Sequence, residues 1–122
     1  MDKILIIDDD PRNIFALVAV LKSKQFTCLT ASSAEEGLKR LYDQPDIGIV
    51  LMDMMMPDMD GYQAIAEIRK NNLVRKVPII AVTAQAMVGD REKCIAAGAD
   101  AYISKPIDID ILVEELSNFL KT

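Results

Sequence analysis

A chain of 122 residues with 51% hydrophobic side chains and a net charge of -5 is long enough for one domain around one core. The acidic balance and the lack of a basic run argue against nucleic acid as the main ligand, and no apolar run approaches the length of a membrane span. There is no histidine, which excludes His-based acid–base catalysis, His-ligated metal sites and a phosphohistidine on this chain.

Only three Phe and three Tyr contribute aromatic bulk, so the core must be aliphatic. The N-terminus lacks a signal peptide, and Cys28 and Cys94 lie in different segments with no CxxC spacing. Both features predict a cytoplasmic protein with reduced, packed thiols.

The first element is the β-branched run Lys3 to Ile7, a strand whose carboxyl end leads into Asp8, Asp9 and Asp10. Pro11 suits the first turn of a helix, with Asp10 as its N-cap. Ile14, Leu17, Val18 and Leu21 recur at helical spacing and continue it. Phe26 to Ala31 predicts a second strand, more polar and therefore nearer an edge. Ser33 and Glu36 have capping-box spacing, and Leu38, Leu41 and Tyr42 carry the second helix until Pro45 ends the segment.

Ile47 to Met52 is an unbroken apolar run that ends in Asp53, with Pro57 and Gly61 breaking the chain beyond. Such a run reads as a strand buried on both faces. Asp53 therefore stands where a parallel strand stops, the place where open α/β sheets bind ligands. A turn-starting or capping role competes for aspartates in loops; it suits Asp58 and Asp60, beside Pro57 and Gly61, better than Asp53, which three methionines follow. The methionines from Met52 to Met59 read as packing. Gly61 opens a third helix through Ile65 and Ile68 to about Lys70. Pro78 to Val82 is a fourth strand ending at Thr83. The spacing of Met87, Val88, Cys94 and Ile95 is poor, which predicts a loosely anchored helix over Ala84 to Ala97, with Gly98 as its αL cap. Ala101 to Ser104 is a fifth strand closed by Lys105 and Pro106. Ile109, Leu112, Val113, Leu116 and Leu120 make the last amphipathic helix, with Asp108 at its start.

Five β-then-α units, with near-continuous apolar runs in strands one, three and four, predict a single α/β domain over residues 1–122. Its sheet is doubly wound, five-stranded and parallel. In such a sheet the carboxyl ends of the strands share one rim. That rim collects Asp8, Asp9, Asp53, Thr83, Ala84 and Lys105. Singly, Asp8 and Asp9 read as caps, Thr83 as a β-former and Lys105 as a solvated lysine; together they make a chemical site. Two like charges about 4 Å apart repel by about 4 kcal/mol at an effective dielectric near 20. One lysine cannot neutralise three carboxylates. An all-oxygen site suits a hard ion, and Mg²⁺ with a phosphate group is the natural occupant. Phosphoryl transfer relies mainly on positioning and charge neutralisation. With no other nucleophile implied, an Asp carboxylate is left to form an acyl phosphate.

These residues, with the Met52–Gly61 loop, Val82-Thr83-Ala84, Tyr102 and Lys105-Pro106, give the whole chain a resemblance to the receiver domain of two-component response regulators. The resemblance implies a flavodoxin-like (βα)5 fold with strand order 2-1-3-4-5. It implies that Asp53 is the phosphoacceptor, taking a phosphoryl group from a histidine kinase or a histidine phosphotransfer protein. Asp9, Asp53 and the backbone carbonyl of Met55 would hold Mg²⁺, and Asp8 would act mainly through water. Lys105 would pair with the phosphoryl oxygens, and Thr83 and the Ala84 N–H would bind them. Tyr102 would turn inward behind Thr83 and change the face made by helix four, strand five and helix five. The Lys105–Pro106 bond is expected to be cis. Met55 and Gln85 would influence water access and so the lifetime of the phosphoryl group.

The stretches Arg12 to Leu17 and Gly89 to Cys94 are similar to receivers of hybrid sensor histidine kinases. The chain is thus expected to be a free-standing receiver or a module of such a kinase, acting through protein contact, with neither nucleic acid nor membrane as partner. One rival is an aspartate-nucleophile phosphatase of the haloacid-dehalogenase type. That class typically carries a second Asp two residues after the nucleophile, and here the position is Met55, which cannot donate a proton. Turnover is therefore expected to be limited to slow self-dephosphorylation. The other rival, a degenerate receiver that is never phosphorylated, is disfavoured by the joint presence of Asp9, Asp53, Thr83 and Lys105.

Overall fold

The structure is a computed structural model that describes residues 2–84 and 88–120. Five strands alternate with five helices: β1 (Lys3–Ile7), α1 (Pro11–Ser23), β2 (Thr27–Ala31), α2 (Ala34–Asp43), β3 (Ile47–Asp53), α3 (Gly61–Lys70), β4 (Ile79–Thr83), α4 (Asp90–Ala97), β5 (Ala101–Ser104) and α5 (Ile109–Phe119). The sheet is parallel in the order β2-β1-β3-β4-β5, as the resemblance implied. The more polar β2 is an edge strand, as its composition predicts.

Side chains alternate across a strand, so the apolar runs of β1, β3 and β4 feed two cores. Leu5, Ile7, Val50, Met52, Ile79 and Ala81 face Leu38 and Leu41 of α2, Ala64, Ile65 and Ile68 of α3, and Cys94 of α4. Ile4, Ile6, Ile49, Leu51, Ile80 and Val82 face Leu17 and Leu21 of α1 and Leu112 and Leu116 of α5. Both cores are almost wholly aliphatic, and Cys28 and Cys94 are free thiols. No helix among the described residues is long and apolar enough to cross a membrane.

The caps follow the sequence closely. Asp10 accepts the Arg12 N–H ahead of Pro11, and Asp108 caps α5. Ser33 caps α2, but Glu36 reaches the Ser32 N–H instead of closing the expected box on Ser33. The complete box is at α3, where Asp60 and Gln63 exchange hydrogen bonds.

The fourth helix is a correction. It was expected from Ala84 and begins at Asp90. Gly89, at φ 88°, holds a left-handed conformation that a right-handed helix cannot run through. Gln85 and Met87 lie outside the described residues. The helix is as thinly anchored as its pattern predicts, since Asp90 and Cys94 are its only buried residues. Gly98 ends it at φ 120°, outside αL proper, while its N–H donates to Cys94 O and Ile95 O. The Lys105–Pro106 bond is cis.

Candidate functional site

The parallel sheet carries every strand's carboxyl end to one rim. Asp8 and Asp9 follow β1, Asp53 is the last residue of β3, Thr83 the last of β4, and Lys105 follows β5. Register fixes their depth: Asp53 pairs with Val82, and the Met54 N–H donates to Val82 O at 2.9 Å. Lys105 is drawn in by its own N–H, which donates to Thr83 O at 2.8 Å.

Asp8, Asp9 and Asp53 converge, each offering a carboxylate oxygen within 4.8 Å of the others. Asp8 and Asp53 are buried, Asp9 exposed. Lys105 Nζ stands 3.5 Å from Asp8 Oδ2 and 3.8 Å from Asp53 Oδ2. Asp53 Oδ1 also accepts the Met55 N–H at 3.1 Å. Burial pushes the Asp53 carboxyl up to about 6; the Asp8 charge adds to the rise, and the Met55 N–H and Lys105 oppose it.

This donor set fits a hard divalent cation. All three groups are carboxylates, two of them are buried, and Lys105, the one ammonium paired with them among the described residues, leaves excess negative charge that a cation would offset. Thr83 is buried on the same rim, and Ala84 follows it, exposed. Tyr102 is half-buried on β5, and its hydroxyl donates to Asp90 Oδ2 at 3.1 Å, tying β5 to the start of α4.

Of the residues named from the sequence, Asp8, Asp9, Asp53 and Lys105 are therefore brought together; Thr83 and Ala84 stand at the end of β4 on the same rim, and Tyr102 lies within β5, bonded to Asp90. Two contacts were not foreseen. Asn13 donates from α1 to Asp8 Oδ2, and Asp90 accepts from Tyr102. Asn13 left a faint signal, an amide in the helical turn that starts at the rim. Asp90 left none, because it opens α4 and its partner lies on β5, twelve positions away in the sequence.

The pattern of the response regulator receiver domain matches residues 4–117. The chain belongs to this family. The receiver segment of the sensor histidine kinase RcsC of Escherichia coli is 37% identical over 114 residues, 93% of this chain and 12% of that protein. The signal transduction histidine-protein kinase BarA of the same species is 35% identical over 117 residues, 96% of this chain and again 12% of the relative. The chain thus spans about an eighth of either kinase. Among solved structures, the receiver domain of the sensor histidine kinase PA1611 from Pseudomonas aeruginosa is 34% identical. It superposes with a TM-score of 0.89, covering 99% of this chain and 98% of that one. That receiver domain holds a magnesium ion in its active-site cleft. The present receiver domain is accordingly a signalling domain of the two-component and phosphorelay type, similar to those carried by hybrid sensor kinases.

Proposed function

We propose that Asp53 is the phosphoacceptor of this receiver domain and that residues 1–122 form one receiver unit. The observation that carries the reading is the convergence of Asp8, Asp9 and Asp53 within 4.8 Å, with Lys105 Nζ 3.8 Å from Asp53. A carboxylate oxygen of Asp53 attacks the phosphorus of a phosphohistidine. The O–P bond forms as the P–N bond breaks, and the leaving imidazole keeps the electron pair and takes up a proton. The donor is a histidine kinase or a histidine phosphotransfer protein, which fits the similarity to segments of RcsC and BarA.

Asp9, Asp53 and the Met55 backbone carbonyl would hold Mg²⁺, with Asp8 acting through water. Bound there, the ion supplies the positive charge that the carboxylates and the incoming phosphoryl oxygens require. Lys105 leaves its carboxylate partners to pair with the phosphoryl group, and the Thr83 hydroxyl and the Ala84 N–H bind it as it arrives. Water later attacks phosphorus, releases inorganic phosphate and returns the carboxylate. The domain turns over only itself, since Met55 stands where a general acid would be needed for anything faster.

Thr83 and Tyr102 form the switch. As Thr83 moves toward the phosphoryl group, Tyr102 gives up Asp90 and turns inward, and the face made by α4, β5 and α5 changes for a cytoplasmic protein partner. The thin anchoring of α4 makes it the element easiest to shift. The test is labelling by acetyl phosphate: the domain should acquire an acid-labile phosphoryl group only with Mg²⁺, and Asp53→Asn should abolish it. Undiminished labelling of that variant would refute the assignment.

A further inference from the structure

Asn13 stands in the first turn of α1, and none of the steps assigned to the rim residues makes use of it. Its side-chain amide donates from Nδ2 to Asp8 Oδ2 at 2.5 Å. We infer that Asn13 is a positioning residue, fixing the Asp8 carboxylate in the orientation in which the acidic cluster takes up a divalent cation. The inference rests on the reading of Asp8, Asp9 and Asp53 as that cation's site.

Asp8 is 3% exposed, so water does little to orient it. Its Oδ1 accepts the Asp10 N–H at 2.9 Å, and its Oδ2 accepts Asn13 and faces Lys105 at 3.5 Å. Lys105 is shared with Asp53 and would be drawn off by a phosphoryl group. Asn13 would then be the side chain still holding Oδ2. Its amide suits the task because it is neutral. A cationic donor would compete with the metal, and a carboxylate would add a fourth negative charge to the cluster. The amide is also held on a firm base, since Asp10 caps the helix and Pro11 sets its first turn. Groups that hydrogen-bond the direct ligands of a metal change its affinity about 10- to 100-fold when removed; Asn13 acts one step further out, through Asp8 and its water, so the lower end of that range applies.

The experiment titrates Mg²⁺ alone into the unphosphorylated protein by calorimetry, for the parent chain, Asn13→Ala and Asn13→Leu. Leu restores the volume without the donor, so a packing defect is told apart from the lost hydrogen bond. Both variants should bind Mg²⁺ about tenfold more weakly. In acetyl phosphate labelling, the Mg²⁺ concentration for half-maximal rate should rise in step, and saturating Mg²⁺ should restore the parent rate. In an Asp8→Ala background, Asn13→Ala should change Mg²⁺ binding less than about twofold, because the residue acts through Asp8. Binding within about twofold of the parent in both single variants overturns the inference, as does a labelling rate that stays low at saturating Mg²⁺. A parent chain that binds Mg²⁺ and is labelled at Asp53, beside unaffected Asn13 variants, removes this inference alone. A parent chain that binds no Mg²⁺ removes the reading of the site beneath it.

Discussion

Arg69, near the end of α3, holds three segments at once. Its Nε and one terminal nitrogen donate to Gly98 O at 3.0 and 2.7 Å, and that terminal nitrogen also reaches Asp100 Oδ2 at 2.9 Å. The other terminal nitrogen donates to Arg75 O at 2.9 Å and Val77 O at 2.6 Å. Asp100 in turn accepts the Ile79 N–H, so the guanidinium fixes the entry of β4 and the end of α4 together. Arg69→Met keeps the stem but strands these acceptors. It should lower stability by about 3 kcal/mol, read as a drop in the urea midpoint at unchanged slope. A shift below about 0.5 kcal/mol would show that water replaces the guanidinium fully. Nothing in the sequence marked Arg69, because all but one of its bonds go to backbone carbonyls, which leave no trace in residue type. Asp8, Asp53 and Thr83 were legible for the opposite reason, each being a polar group that ends an apolar run, and Asp9 and Lys105 follow directly on the ends of such strands.

At the scale of elements, the start of α3 is pressed against the loop that carries Asp53. A Cβ on Gly61 would stand 2.6 Å from Met54 Cα and 2.9 Å from Asp53 O, which are backbone atoms that cannot swing aside. Gly61→Ala should therefore cost about 1–3 kcal/mol and, by moving Met54, slow labelling of the domain by acetyl phosphate at saturating Mg²⁺. A destabilised variant that labels at the parent rate would mean that the strain is relieved in α3. The sequence marked Gly61 as a chain breaker that opens a helix; the close approach that forbids a side chain there is a tertiary fact. The reverse holds for α4. Its weak periodicity was readable, but its start was not, because the left-handed turn at Gly89 is one of several conformations open to a glycine.

For the whole molecule, the rim couples folding to pH. Burial raises the Asp53 carboxyl from 3.8 to about 6, so between those values the folded chain holds a proton that the unfolded chain has released. The contribution to stability is complete below about pH 3.8, fades as pH rises, and is gone above about 6. Its full size is at most about 3 kcal/mol, since each tenfold gain in proton affinity is worth about 1.4 kcal/mol. Urea unfolding in chelator from about pH 4 to 7 should show this loss superimposed on the other titrations, and Asp53→Asn should flatten the slope. Mg²⁺ should recover stability near neutral pH in the parent chain. Identical slopes in the parent and Asp53→Asn would mean that the burial of Asp53 is relieved by water.

By itself the sequence determined the elements, because alternation, helical spacing, caps and chain breakers are local properties. It also determined which polar groups share a rim, because parallel strands carry all their carboxyl ends to one edge. Tertiary structure alone decided the distances on that rim, with Lys105 reaching two carboxylates and Asn13 turned onto Asp8. It also decided how deeply Asp53 is buried, and with that how tightly it holds its proton. Separations and desolvation are set by how helices seat on a sheet, and residue order does not encode that packing in any one stretch.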